Sequence, residues 1–424
     1  MVDEQLINEG DYLALREEQL VRRLEQAGHT RRSILKPGAA GALMVTGAAR
    51  LAAPARARAA TTPGPIVKPL PPEWFITYGS NAEMRWDAAP GLGYLIPNER
   101  FFVRDHTSTP LIDARTWTLD VWGDGLRRAP TQTAPISISY DQLRSLPSVE
   151  IPAFIECAGN GRSFFASQQR TPASGTQWGL GAVGVASWRG VPLGELLERV
   201  GVRRDAVDVM PWGLDPDYVS GGVDYGPVRR PLPVAKAFRD VILAYEMNGQ
   251  PLPADNGYPV RLVVPGWIGV ANVKWVGQIQ VSRSPLYSYW NTSSYLLEGP
   301  AYPNPISLTT QAVKSAFELA FGAVLPNQPQ VLTGRSWSGA APIRRVDVST
   351  DGGATWGQAR LRSPNLSHAW VRWEYPWSPP GPGSYTLNAR ATDWSGRTQP
   401  ATVPFNTLGY LFWAVVNHPV TVTA

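Results

Sequence analysis

The only cysteine of this 424-residue chain lies where a metal ligand or a nucleophile could act. Cys157 follows an apolar run, Ile151–Glu156, and begins a glycine-rich loop that reaches Arg162. Backbone N–H groups and a guanidinium near a thiol favour its thiolate form. Three interpretations are open: a buried small side chain, a nucleophile, or a ligand for a soft metal. A nucleophile needs a histidine base, and His106 lies in this part of the chain without a clear carboxylate or amide companion.

The composition excludes several other kinds of site. One cysteine excludes an intramolecular disulfide. Four histidines without a Cys-x-x-Cys-His motif exclude a c-type haem and a Cys/His zinc cluster, so we expect no haem. A net charge of +5 without a basic run and interleaved aromatics gives no reason to expect a nucleic acid partner. The 34 Arg against 5 Lys suit a bound oxyanion, although a GC-rich genome produces the same bias.

Residues 74–300 predict a mixed α+β domain around the cysteine. Short β-type runs alternate with helical candidates, and the long Gly/Pro loops between them could carry a ligand site. The predicted strands are Phe101–Arg104, Trp117–Trp122, Ile151–Glu156, Val260–Val264 and Val273–Val281, and the predicted helices are Tyr140–Ser145, Leu193–Val200 and Pro233–Phe238.

Residues 301–424, after a proline-rich break at 299–305, predict a second domain. Its short strands recur at regular spacing, and Asp351-Gly352-Gly353 predicts a tight hairpin turn. This pattern favours a β-sandwich of the immunoglobulin-like type. The predicted strands are Val331–Trp337, Ile343–Ser349, Ala359–Leu361, Ala369–Trp373, Tyr385–Thr392 and Thr402–Phe405.

Residues 1–60 predict a signal peptide, and residues 61–73 a proline-rich extended linker. Arg31-Arg32-Ser-Ile-Leu-Lys36 precedes an apolar stretch of small residues and resembles a twin-arginine signal. The stretch is shorter than the ~20 apolar residues that a membrane span needs. We therefore expect a protein exported in folded form to the periplasm, with no membrane span after signal removal. The alternative is an uncleaved amphipathic helix.

A series of motifs from about Phe101 to the C-terminus resembles, in order, the sulfite oxidase family of molybdenum enzymes. The resemblance implies a molybdopterin-binding α+β domain followed by an immunoglobulin-like dimerisation domain, and hence a homodimer with a molybdenum–molybdopterin cofactor. The motifs are Cys157–Arg162, Trp178-x-x-Gly-Ala, Trp188-x-Gly-Val, Leu243–Pro253, Gly257–Gly266, Val273–Trp275, Val346–Trp356, Arg390-Ala-Thr-Asp and Gln399-Pro400.

The resemblance also implies roles for individual residues. Cys157 would be the thiolate ligand of molybdenum, since a soft sulfur suits this metal. Fixed guanidinium groups in a substrate pocket would suit an anion with nearly two charges, such as sulfite. The residues implied to contact the cofactor are Phe102, Val103, Arg104, Asp105, His106, Asp215, Asn256, Arg261, Asn272, Val273 and Lys274. Those implied to line the substrate pocket are Arg104, Arg162, Trp178, Tyr295 and Arg345.

Three positions depart from the pattern of the animal members. Asn256 stands where those members have a pterin-contacting histidine, so an amide would make this contact. Ser174 stands in the place of a lysine, which removes one positive charge from the pocket. Asp105 replaces an asparagine.

The resemblance implies oxidation of sulfite to sulfate, with electrons passed to a separate acceptor such as cytochrome c. Two alternatives remain. Trp337-Ser-Gly and Arg344-Arg-Val-Asp-Val also resemble the sulfane dehydrogenase subunit of a thiosulfate-oxidising system. In a different class, a cofactor-free module would use its sandwich for binding or assembly. The joint presence of Arg162, Trp178 and Tyr295 favours sulfite.

Overall fold

The computed structural model describes residues 60–61 and 65–424. The predicted twin-arginine motif and the apolar stretch after it lie outside these residues. Within the described ranges, no helix is both long and apolar enough to cross a bilayer. Strands dominate both domains, and the helices are short.

The first domain is built from strands β1–β17 and helices α1–α5 of the described chain. The strands are β1 (Ala60–Thr61), β2 (Phe75–Tyr78), β3 (Asn81–Met84), β4 (Val103–Arg104), β5 (Pro110–Leu111), β6 (Thr118–Trp122), β7 (Ile136–Ser139), β8 (Val149–Glu156), β9 (Val183–Pro192), β10 (Asp208–Gly213), β11 (Val219–Ser220), β12 (Val223–Asp224), β13 (Leu232–Pro233), β14 (Ile242–Met247), β15 (Gln250–Pro251), β16 (Arg261–Val263) and β17 (Val276–Ser282). The helices are α1 (Tyr140–Arg144), α2 (Ser163–Ser167), α3 (Leu193–Arg199), α4 (Val234–Arg239) and α5 (Tyr289–Thr292), with 3-10 turns at Trp86–Ala88, Asn98–Arg100, Ala254–Asn256 and Gly269–Ala271.

Two five-stranded sheets form the body of this domain. One has the order β13-β10-β17-β6-β7, and the other the order β15-β14-β9-β8 with β16 paired to β14. Strand β8 runs antiparallel to β9, from Val149 opposite Gly190 to Glu156 opposite Val183. The first four residues of β9, Val183–Ala186, are all buried, so both faces of this part of the strand are covered, as expected for a central strand. This register fixes the place where β8 ends and the cysteine loop begins.

The three predicted helices match α1, α3 and α4 to within one residue at each end. Helix α1 begins with a capping box: the Gln142 N–H donates to the Ser139 hydroxyl, and the Ser139 N–H donates to the Gln142 amide oxygen. Beyond α3 the chain turns at Gly201, whose φ of +81° is favourable for glycine.

The second domain is a sandwich of two sheets, preceded by a hairpin of two strands. The strands are β18 (Leu296–Gly299) and β19 (Tyr302–Ser307) of the hairpin, and β20 (Lys314–Phe317), β21 (Ala323–Pro326), β22 (Gln330–Trp337), β23 (Ile343–Ser349), β24 (Gly357–Gln358), β25 (Arg360–Arg362), β26 (Trp370–Trp377), β27 (Gly383–Asp393) and β28 (His418–Thr423). The two sheets have the orders β20-β22-β26-β25 and β21-β28-β27-β23-β24. The apolar core between them includes Val346, Val371, Trp373 and Leu387.

The predicted strand Thr402–Phe405 is wrong. The amide side chain of Gln169, in the first domain, takes the place of a neighbouring strand. The Val403 N–H donates to Gln169 Oε1 at 2.9 Å, and Gln169 Nε2 donates to the Val403 carbonyl at 2.9 Å. Residues 394–417 instead form a long segment without helix or strand, which lies against the first domain and leads into β28.

The two segments that flank the first domain are packed against it or paired. The predicted boundary at residue 300 falls in the turn of the β18–β19 hairpin. Residues 65–68, which we call the N-terminal strap, are tied to the domain. The Val67 and Lys68 N–H groups donate to the two carboxylate oxygens of Asp255 at 2.9 and 2.8 Å. This part of the predicted linker is therefore docked.

Candidate functional site

A cleft opens beside the loop that follows β8. Its volume is about 700 Å³, which includes solvent space at the open mouth. Most of the residues predicted to bind the cofactor or the substrate line it. These are Phe102, Arg104, Asp105, His106, Cys157, Asp215, Asn256, Arg261, Asn272, Val273, Lys274 and Tyr295. Residues that the sequence reasoning missed also line it: Phe101, Ile155, Ala158, Val228, Asp255, Gly269, Val270 and Trp275.

The cysteine loop is held rigidly at the wall of the cleft. The Cys157 N–H donates to the Ala182 carbonyl at 2.9 Å, and the Ala182 N–H donates to Asn160 Oδ1 at 3.0 Å. Gly269 packs so closely that an added Cβ would lie 2.8 Å from the Glu156 carbonyl oxygen. Cys157 is only 5% exposed, yet it faces the cleft. The thiol is therefore accessible to a cleft ligand and shielded elsewhere.

A buried ion pair lies behind this loop. Glu156 Oε1 accepts from Lys314 Nζ at 2.7 Å and from Asn160 Nδ2 at 2.9 Å. Glu156 Oε2 accepts from Trp337 Nε1 at 2.9 Å. Lys314 begins β20, and antiparallel pairing places it opposite Trp337 of β22. The second domain thus supplies charge and a hydrogen bond directly behind Cys157.

Buried cations form another wall of the cleft. Arg261 donates to the carbonyls of Asn256 at 2.9 Å and Asn272 at 3.1 Å, and burial lowers the pKa of its guanidinium to about 9. Lys274 forms an ion pair with Asp105, and burial lowers the pKa of Lys274 although this carboxylate opposes the shift. Among residues 65–424, no carboxylate lies within ion-pair distance of Arg261. An anionic ligand group would supply the missing charge.

Two polar side chains of the cleft are buried, and one of them has an atom without a hydrogen-bond partner. Burial raises the pKa of the Asp215 carboxyl to about 7, against the opposing hydrogen bond from the Val228 N–H. The Asn256 Oδ1 atom is buried without a hydrogen-bond partner. Buried polar groups are ordinarily satisfied, so a partner from a bound group fits this position.

Tyr295 and His106 share a hydrogen bond at the cleft, with 2.9 Å between Oη and Nε2. Burial and the charges of Arg104 and Lys274 lower the pKa of His106 well below its usual value. Burial raises the pKa of Tyr295. The pair is therefore neutral near pH 7, and the tyrosine keeps its proton. Tyr295 has a φ of +58°, an uncommon conformation for this residue type and one found at functional sites.

Arg104 and Arg162 approach Tyr295 from different elements. Arg104, at the end of β4, lines the cleft and donates to the Asp105 carbonyl. Arg162 lies behind the lining and donates to the carbonyls of Leu408 at 3.0 Å and Thr176 at 2.7 Å. Both guanidinium groups act electrostatically on the Tyr295 hydroxyl.

Four predicted site residues lie outside the cleft lining, and Arg162, described above, is one of them. Val103 is buried in β4. Trp178 is buried against the Tyr78 ring, with ring centroids 5.4 Å apart. Arg345 lies half exposed on β23 and forms an ion pair with Asp347 at 3.3 Å. The structure therefore does not bring Val103, Arg162, Trp178 or Arg345 to the cleft wall.

The donor set fits a molybdopterin. A single soft thiol faces the cleft, the buried Arg261 guanidinium has no carboxylate within ion-pair distance among residues 65–424, and an orphaned amide oxygen is present at Asn256. In a molybdopterin, the metal would bind the thiolate, the phosphate group would pair with the cation, and the heterocycle would donate a hydrogen bond to the amide oxygen. Among the described residues, no group of three His, Cys, Asp or Glu side chains is placed to hold a metal ion.

Comparison with known proteins agrees with this donor set. Residues 106–290 match the family model of the oxidoreductase molybdopterin binding domain, and residues 313–422 match that of the Mo-co oxidoreductase dimerisation domain. The chain is 35% identical to the sulfite oxidase of Gallus gallus, over 73% of this chain and 69% of that protein. This chain belongs to the sulfite oxidase family. Membership confirms the predicted family and the predicted fold class.

Some relatives in the sulfite oxidase family extend beyond the part that this chain matches. This chain is 35% identical to the mitochondrial sulfite oxidase of Mus musculus over 73% of this chain, and the match spans 58% of the mouse protein. A crystal structure of the sulfane dehydrogenase SoxCD from Paracoccus pantotrophus superposes with a TM-score of 0.68 at 27% identity. That match covers 80% of this chain and 83% of the other.

Proposed function

We propose that this protein is a molybdenum-cofactor oxidoreductase that oxidises sulfite to sulfate. One observation carries the proposal: the cleft combines the Cys157 thiol with the buried Arg261 guanidinium, which has only carbonyl partners and, among residues 65–424, no carboxylate within ion-pair distance. Sulfite and water would give sulfate, two protons and two electrons. The electrons would pass to an external acceptor, for which cytochrome c is our candidate.

The residues of the cleft divide into two groups in this proposal. Cys157 would bind molybdenum through sulfur, and Arg261, Lys274 and Asn256 would hold the pterin and its phosphate. When bound, the metal centre supplies two-electron redox chemistry and oxygen transfer. Arg104 attracts the substrate dianion, since a guanidinium keeps its charge at all physiological pH values.

The neutral Tyr295–His106 pair would orient the substrate without adding charge. The tyrosine hydroxyl can donate a hydrogen bond to an anionic oxygen while its ring position is fixed by packing. A protonated imidazole at this position would compete with the Tyr295 hydroxyl for the anion. The lowered pKa of His106 keeps the imidazole neutral. These residues therefore bind and orient, and the oxidation itself needs the cofactor.

A steady-state assay of molybdenum-loaded protein with sulfite and cytochrome c tests the proposal. We expect sulfite-dependent reduction of the acceptor, lost in a Cys157→Ser control that retains its fold. Full molybdenum loading with no turnover on sulfite, using either cytochrome c or an artificial acceptor, would contradict sulfite as the substrate. Absence of molybdenum from protein made in a cofactor-competent host would favour the cofactor-free module.

The match to the sulfane dehydrogenase over most of both chains supports a second candidate substrate, a protein-bound or small-molecule sulfane sulfur. The same assay separates the two. Turnover on thiosulfate-derived sulfane sulfur with none on sulfite would support this second candidate.

Three further proposals concern the state of the protein. We propose that the protein is exported through the twin-arginine route to the periplasm. We also propose that the second domain forms a homodimer, and that electrons pass from the cofactor to an external acceptor without a haem in this chain. Arg31→Lys with Arg32→Lys should leave precursor in the cytoplasm, because a receptor reads the pair as an address. Normal export of this double variant would contradict the route. Sedimentation of purified protein tests the dimer, and its absorption spectrum tests for haem.

A further inference from the structure

A segment of the second domain, residues 406–412, returns to the loop that follows the cysteine. Asn406 closes a turn in this segment: its Nδ2 donates to the Tyr410 carbonyl at 2.8 Å, and its Oδ1 accepts from the Tyr410 N–H at 2.8 Å. The Leu411 N–H donates to the Ala158 carbonyl at 2.8 Å. The segment is therefore internally fixed and attached beside the cysteine.

The ring of Tyr410 contacts two residues implied to bind the substrate. It stacks on the Tyr295 ring with centroids 5.0 Å apart and an interplanar angle of 13°. The Arg162 guanidinium carbon lies 5.3 Å from the Tyr410 ring centroid. Tyr410 is 8% exposed. One buried ring thus links the guanidinium to the tyrosine that shares a hydrogen bond with His106.

The backbone of the same segment holds Arg162 as well. The Leu408 carbonyl accepts from Arg162 Nε at 3.0 Å. Gly409 has a φ of +60°, and an added Cβ would lie 2.8 Å from Arg162 Cγ and 2.6 Å from Ala173 Cβ. The close approach therefore requires glycine at this position. A carbonyl, a glycine and an aromatic ring together fix one arginine side chain.

We propose that Tyr410 is a positioning residue that sets the placement of the Arg162 guanidinium relative to the Tyr295 hydroxyl. Through these two groups it determines the affinity of the site for a small oxyanion. An arginine side chain loses considerable rotamer freedom when fixed, so a preformed support lowers the cost of binding an anion. The inference rests on the proposed function only in naming sulfite as that oxyanion.

Kinetic constants of three ring variants test this role in molybdenum-loaded protein. Tyr410→Phe keeps the stacked ring, so we expect a KM for sulfite within about twofold of wild type. Tyr410→Leu and Tyr410→Met remove the ring, and we expect KM to rise about tenfold with kcat changed less than about threefold, because the loss falls on anion binding. Phe412→Leu is the matched control, since Phe412 lies in the same segment but packs against Phe164 and Phe165.

Sulfate binding gives a second readout that does not need turnover. Calorimetric titration of the loaded protein with sulfate should show weaker binding in Tyr410→Leu or Tyr410→Met and unchanged binding in Tyr410→Phe and Phe412→Leu. Unchanged KM and sulfate affinity in whichever ring-removing variant folds would overturn the proposal, as would an equal loss in Phe412→Leu. If wild type binds sulfate but does not oxidise sulfite, and the ring-removing variants bind sulfate more weakly, the positioning role stands and the proposed function fails.

Discussion

Glu156 and Lys314 form an ion pair between the two domains, with 2.7 Å between Oε1 and Nζ and side chains 0% and 1% exposed. Glu156 directly precedes Cys157 in the chain. The geometry of the cysteine loop therefore depends on the second domain, and changes to this pair should affect both folding and the site.

Glu156→Gln should destabilise the fold strongly, because it leaves the Lys314 charge buried and unpaired. We expect a loss of about 3–5 kcal/mol in the free energy of unfolding, measured by urea denaturation. Combining Glu156→Gln with Lys314→Met should recover much of this loss, since no charge is then left in the interior. A change below about 0.5 kcal/mol in Glu156→Gln would mean that solvent reaches the pair.

Cys157→Ser should abolish turnover and leave the fold intact. A hydroxyl is a hard and poor ligand for a soft metal, while the side chain changes by a single atom. Activity, molybdenum content and the thermal unfolding midpoint should be measured on the same sample. Activity near the wild-type level with full molybdenum loading would rule out Cys157 as the ligand.

Arg162→Gln should lower kcat/KM for sulfite about 30- to 1000-fold, because it removes a buried positive charge directly behind the cleft lining, and loss of a charge that favours the anion is worth roughly 2–4 kcal/mol. The loss should appear mainly in KM, and higher ionic strength should weaken wild-type turnover more than that of the variant. Arg162→Lys should recover only part, because one ammonium cannot reproduce the fork that bonds Leu408 and Thr176. Constants within about twofold of wild type would show that the guanidinium is structural.

Asp215 should make the stability of cofactor-free protein depend on pH. Its folded pKa of about 7 exceeds the ordinary value of 3.8, so the folded state binds the extra proton and stability falls as pH rises from about 4 to about 7. Asp215→Asn removes this dependence. Relative to wild type, the variant should gain roughly 2–3 kcal/mol of unfolding free energy between pH 5 and pH 8 at 1.36 kcal/mol per unit. The exposed Asp217→Asn serves as the control, and parallel profiles for wild type and Asp215→Asn would contradict the prediction.

Local patterns predicted much of the fold. Helix α1 carries a capping box, and the second half of strand β23, Val346-Asp-Val-Ser349, alternates apolar and polar residues; both are local signals. The ten-residue strand β9 was missed, because a strand buried on both faces lacks the alternation that reveals a half-exposed one. Residues 402–405 were misread because a distant glutamine side chain, Gln169, satisfies their backbone.

Motifs located the cleft, but long-range contacts determined its support. The resemblance placed Cys157 and Arg261 in one cleft, where the structure also has them. Glu156 could have been noticed as a charged residue ending an apolar strand beside the cysteine. Tyr410 carries no such signal, since its contact with Arg162 joins residues about 250 positions apart and depends on how the domains pack.

The N-terminal strap gives the cleft a connection to the outside of the molecule. Its Val67 and Lys68 N–H groups bind Asp255, which precedes Asn256 in the cleft wall. A ligand that stabilises this wall also stabilises the docked strap, and by thermodynamic reciprocity a docked strap strengthens retention of the ligand. Proteolytic cutting within residues 65–68 should therefore slow when the cleft is filled, and its rate would report how far the cleft is occupied.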